Sequence, residues 1–106
     1  TLVSSSAASD VYKRQSQSAA LRKEAGRWLR SKRLALGMSQ RVLAERVNME
    51  YYTFISQIEA GRGRVPSESL SIWAAALQVD PKELAITLMK YYDPNTYELI
   101  FGDDKA

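Results

Sequence analysis

The sequence contains neither cysteine nor histidine. That removes structural zinc, disulfides, thiol nucleophiles and every imidazole acid or base, and most hydrolase mechanisms with them. The acidic residues are scattered along helical patterns and do not converge in pairs, so neither an enzyme nor a metal or other cofactor is expected. Proline is scarce at three residues and glycine at five, which leaves little to interrupt a helix. No apolar run approaches the roughly 18 residues that would span a bilayer, and the N-terminus lacks the basic-then-apolar order of a signal peptide, so a cytoplasmic location is expected. What remains is a chain of 106 residues, 45% hydrophobic and 25% charged, enough for one modest globular domain.

The net charge of +3 conceals an asymmetry. Between Ala19 and Arg64 lie Arg22, Lys23, Arg27, Arg30, Lys32, Arg33, Arg41, Arg46, Arg62 and Arg64 against only Glu24, Glu45, Glu50 and Glu59, a net of +6. From Val65 to Ala106 the balance is −4. A basic half followed by an acidic half suggests a polyanion partner for the first, with an ordinary solvated surface as the bland alternative.

Residues 1–18 are rich in Ser and Ala, show almost no apolar periodicity and begin without Met. They are expected to form a disordered tail. Asp10-Val11-Tyr12-Lys13-Arg14-Gln15 is similar to a translated transposase mosaic-end adapter, so part of this tail is expected to be non-native. The domain proper is expected over residues 19–90, with an extension over 91–106.

Everything after the tail reads as helix. Leu21, Ala25, Trp28, Leu29 and Leu36 recur at helical spacing from Ala20 to Leu36, and Gly37 supplies a stop. Ser39 is a suitable cap for a second helix ending near Val47, with Val42, Leu43 and Val47 on one face. Asn48 favours a tight left-handed turn. A third helix, about Tyr51 to Ala60, closes at Gly61; Tyr51, Phe54, Ile55 and Ile58 should point inward, and Tyr52, Thr53, Ser56, Gln57 and Ala60 outward. That outward stripe is polar and uncharged, a surface suited to hydrogen bonds with base edges. Pro66-Ser67 opens a fourth helix with Leu70, Trp73, Ala74 and Leu77 on one face, and Asp80, Pro81 and Glu83 fit the cap, first and third positions of a fifth. Asp93-Pro94 through Phe101-Gly102 repeats this pattern as a short sixth. Its aromatic and aliphatic load, Tyr91, Tyr92, Tyr97, Leu99, Ile100 and Phe101, either folds back on helices one and five or buries against a second copy. The fold class is all-α, five helices with a short C-terminal extension.

Ser39-Gln40, Leu43-Ala44-Glu45 and Ile55-Ser56-Gln57-Ile58-Glu59-Ala60-Gly61 resemble the helix-turn-helix of the Cro and phage-repressor, or XRE-type, regulators. The resemblance extends more loosely from Leu29 to Leu88. It departs at Asn48 to Thr53, where the turn is one residue longer and Asn replaces Gly, which leaves open whether Tyr51 or Tyr52 faces DNA. The resemblance implies a five-helix repressor-like DNA-binding domain, with helices two and three as its helix-turn-helix and helix three entering the major groove. Tyr52, Thr53, Ser56 and Gln57 would then read bases, and Gln40, Arg41, Arg62 and Arg64 would contact phosphates. It also implies that Arg33 and Glu59 form a structural ion pair tying helix one to helix three.

The function expected is a sequence-specific DNA-binding regulator, a homodimeric repressor acting by operator occupancy on double-stranded DNA. Two alternatives share the fold: a DNA-binding antitoxin subunit or phage switch protein whose C-terminal extension holds a protein partner, and an interaction module that does not bind DNA.

Overall fold

The computed structural model describes the backbone of residues 2–102 and the side chains of residues 17–102. Thr1, the side chains of residues 2–16 (Asp10 to Gln15 among them) and residues 103–106 of the expected extension lie outside that range. Among the described residues the chain is entirely helical, with α1 (Leu2–Ala35), α2 (Gln40–Arg46), α3 (Thr53–Glu59), α4 (Leu70–Leu77), α5 (Pro81–Tyr92) and α6 (Pro94–Phe101). A single 3-10 turn, Ser67–Ser69, leads into α4.

Helix α1 begins well before the Ala20 expected from periodicity, its backbone already helical at Leu2 where a disordered tail is expected. The segment contains no proline or glycine before Gly26 and much alanine, so nothing in it breaks helical hydrogen bonding. The helix ends at Ala35; Leu36 falls in the following turn and is exposed, not on the inward face. Gly37 takes up φ +69 there. The Ser39 side chain accepts from the Val42 N–H at 3.1 Å and starts α2. Leu43 and Ala44 bury, while Val42 turns outward, contrary to its expected inward face. Asn48 adopts φ 58, the left-handed turn its residue type favours.

Helix α3 starts at Thr53, two positions later than the periodicity suggests, because residues 48–52 are spent on the longer turn. Tyr51 and Phe54 are therefore not part of an inward stripe. They are 57% and 51% exposed, with ring centroids 6.3 Å apart. The inward face is Ile55, Ile58 and Glu59. Helix α5 has the expected start, with Asp80 accepting from the Glu83 N–H at 3.0 Å and Pro81 at the first position. At α6 the Asp93 side chain does not cap, although Pro94 follows it as expected.

The core gathers Ala25 and Leu29 of α1, Leu43 of α2, Ile55 and Ile58 of α3, Trp73, Ala74 and Leu77 of α4, and Leu84 and Leu88 of α5. Each large aliphatic side chain removed from water in this way stabilises the fold by roughly 1.5–3 kcal/mol. Helix α1 runs against both α3 and α5, so one long rod fixes the orientation of the short α3. Two glycines make that contact close. A Cβ on Gly26 would collide with the backbone carbonyl of Glu59. Gly61, at φ +82, lets the chain turn directly over Lys23. The aromatic load of the C-terminus divides: Tyr91 and Tyr92 pack on the core, whereas Leu99, Ile100 and Phe101 stay in water, Leu99 at 88% exposure.

Candidate nucleic-acid interface

The site is built on a buried ion pair. Arg33 Nε donates to Glu59 Oε2 at 2.7 Å and its second terminal nitrogen to Oε1 at 3.0 Å, a bidentate contact, while the remaining nitrogen donates to the Met38 carbonyl at 2.8 Å. Arg33 and Glu59 are 5% and 8% exposed. Three cap and helix segments thus meet at one carboxylate: the end of α1 through Arg33, the end of α3 through Glu59, and the start of α2 through Gln40, whose Nε2 donates to Glu59 Oε1 at 3.1 Å. Gln40, assigned to phosphate from the sequence, therefore has one amide hydrogen committed inside the protein. Its second amide hydrogen has no partner among the described residues.

Over this pair opens a groove of about 660 Å³ between α1, α2 and α3, with Arg30, Ser39, Gln40, Arg41, Tyr52 and Ser56 among its walls. Arg41 is exposed, its guanidinium 4.7 Å from the centre of the Tyr52 ring, a cation–π contact that holds both at the rim. Tyr52 thus faces the α2 side of α3. Tyr51 does not line this groove and has its ring beside Phe54. Thr53, Ser56 and Gln57 are exposed along the outer side of α3, and Ser56 belongs both to that stripe and to the groove wall.

The loop after α3 behaves differently from its two arginines' common assignment. Arg62 is exposed. Arg64 instead pairs with Asp93 at 2.8 Å and lies 4.7 Å over the ring of Tyr92. The pair is half exposed on both sides, so its stabilisation is small. The Tyr92 hydroxyl accepts from the Val65 N–H at 3.3 Å. Burial raises the Tyr92 pKa, opposed by the Val65 hydrogen bond and by the charge of Arg64. Arg22 Nε, from α1, donates to the Gly61 carbonyl at 3.3 Å and steadies the same loop.

Several of these partners escape sequence reading. Arg30 has a signal in hindsight, since it lies one helical turn before Arg33 and Leu34, which wall the same groove. The Arg64–Asp93 and Gln40–Glu59 contacts have none, because they join residues far apart in the chain.

The helix-turn-helix family profile matches residues 29–84. Among solved structures, the restriction-modification controller protein C.AhdI from Aeromonas hydrophila is 33% identical, with a TM-score of 0.54, over 62% of this chain and 97% of that one. No curated protein sequence matches significantly. The matched segment contains the ion pair, the groove and the α3 stripe, and no helix of the described residues is long and apolar enough to cross a membrane. On this fold, these motifs and this match, the chain belongs to the helix-turn-helix family of DNA-binding transcriptional regulators, with the architecture of its Cro and phage-repressor-like, XRE-type members.

Proposed function

We propose that the protein is a sequence-specific repressor that works in the cytoplasm as a homodimer, occupying its operator with α3 in the major groove. The observation that carries this reading is the exposed, uncharged hydrogen-bonding stripe of Thr53, Ser56 and Gln57 beside the cations Arg41 and Arg62. Neutral amides and hydroxyls distinguish base edges, while guanidinium groups grip the phosphates on either side. Gln57 can donate to and accept from adenine N7 and N6 at once. Thr53 projects one turn earlier on the same face, and Tyr52 sits at its edge against Arg41. Gln40 offers its free amide hydrogen, and Arg64 takes a phosphate by letting go of Asp93. Arg33 and Glu59 hold the three helices in register without touching DNA. The likeness to a restriction-modification controller protein along nearly all of that protein's length supports the regulator reading. Exposed Leu99, Ile100 and Phe101 supply an apolar face for the second copy.

One selection experiment tests both parts. The wild type, presented with a random DNA library, is expected to return a two-fold motif with half-sites about one helical turn apart. Gln57→Ala is expected to lose preference at one position in each half, at a cost of about 1–3 kcal/mol on the preferred site and almost nothing on random DNA. Identical motifs from the two proteins would remove Gln57 from base reading. A single unpaired half-site would remove the homodimer, and α6 would then belong to a different protein partner. No motif from either would leave the fold as an interaction module.

A further inference from the structure

Six basic side chains project from α1 over residues 17–35, and four of them are engaged within the protein itself. Arg22 donates to the Gly61 carbonyl. The stem of Lys23 lies against Gly61. Lys32 stands 5.5 Å over the Trp28 ring, and Arg33 is buried in its ion pair. Arg27 and Arg30 are exposed and have no hydrogen-bond or ion-pair partner among the described residues, but Arg30 alone of the two lines the groove between α1, α2 and α3.

The charge on that groove is unbalanced. Its floor contributes one cation and one anion, Arg33 and Glu59, which cancel at 2.7 Å. Its walls add Arg30 from α1 and Arg41 from α2 with no further carboxylate. The remaining polar lining, the Ser39 and Ser56 hydroxyls and the second Gln40 amide hydrogen, is able to donate. Two uncompensated guanidiniums and three neutral donors around one concavity match a singly charged, multi-oxygen anion. Because Ser56 joins the groove to the outward stripe of α3, that anion is continuous with whatever α3 reads.

We propose that Arg30 is a phosphodiester-binding residue, which extends the DNA contact from the helix-turn-helix itself onto α1. The proposal rests on the DNA-binding reading of the chain. Arg30 and Arg41 grip the backbone phosphate from two helices, and the buried ion pair beneath keeps their separation constant. Arg27, on the same helix but off the groove, takes no part.

The test compares wild type, Arg30→Ala, Arg30→Lys and Arg27→Ala for binding to a labelled random-sequence DNA duplex over a series of salt concentrations, after thermal melts have shown that all four are equally folded. Arg30→Ala is expected to bind several-fold more weakly at low salt, with the slope of log K against log salt reduced by about 0.9. Arg30→Lys should keep the slope, since the charge remains, and Arg27→Ala should match wild type. Equal slopes for wild type and Arg30→Ala, or equal losses for Arg27→Ala and Arg30→Ala, would overturn the role of Arg30 alone. A wild type that binds no duplex at any salt would overturn the DNA-binding reading and this proposal together.

Discussion

Glu59→Ala is expected to lower the melting temperature by roughly 15–30 °C. The carboxylate receives three donors, two from Arg33 and one from Gln40. Without it the Arg33 guanidinium stays buried with only the Met38 carbonyl for company. An unpaired buried charge of this kind costs about 3–5 kcal/mol, a large part of the roughly 5–15 kcal/mol that holds a small domain together. Removing both partners is a different experiment. Arg33→Met combined with Glu59→Leu leaves no orphaned charge, and most of the lost stability should return. If the pair is structural, the folded fraction of Glu59→Ala retains the operator preference of wild type. A single mutant that melts within a few degrees of wild type, or one that stays folded and prefers a different operator, would contradict this account.

Gly26→Ala should cost at least about 3 kcal/mol, at or above the upper end of the range for overpacked interiors. The direction is informative, because the same exchange in an exposed helix interior stabilises by about 1 kcal/mol. Here the new methyl would run into the Glu59 carbonyl, and a backbone atom cannot move aside by changing rotamer. Helix α1 would have to lift from α3, pulling Arg33 away from Glu59 as it did so. Gly63→Ala is the control. A Cβ there meets Ile58 Cγ1 at 3.6 Å, an ordinary contact, and little change is expected. Denaturant midpoints for the two variants decide the matter: a neutral or stabilising Gly26→Ala would mean that α1 and α3 do not approach this closely.

These two sites show what is legible in a sequence and what is not. The starts of α2 and α5 are readable because Ser39 and Asp80 bond to amides only three residues on. The left-handed Asn48 and Gly61 are readable for the same local reason. The outward stripe of Thr53, Ser56 and Gln57 is accessible to periodicity once the end of the helix at Glu59 is anchored. Counting forward from Tyr51 fails, since periodicity applies only within a helix and Tyr51 precedes it; Tyr51 is exposed, and so is Phe54 in the first turn of α3. Gly26 carries no local mark at all. Its importance comes from a backbone more than thirty positions away. The carboxylate partner of Arg64 is likewise invisible in the sequence, because Asp93 reaches it only through the packing of α5.

The half-buried phenol of Tyr92 ties this molecule to the proton. Its pKa lies above the ordinary value near 10, chiefly because burial disfavours the phenolate. A group raised in the folded state contributes its stability in full below the unfolded value and loses it as pH climbs through the folded one. The liability is therefore alkaline, and Tyr92→Phe should flatten the fall in melting temperature above pH 10; a fall of unchanged steepness would put its origin elsewhere. A tyrosinate formed there would sit directly beneath Arg64, drawing that guanidinium inward and away from any other anion. Histidine and cysteine, the residue types that ordinarily change charge nearest neutrality, are missing from the chain, which leaves this phenol as its one resolved proton-linked group among the described residues.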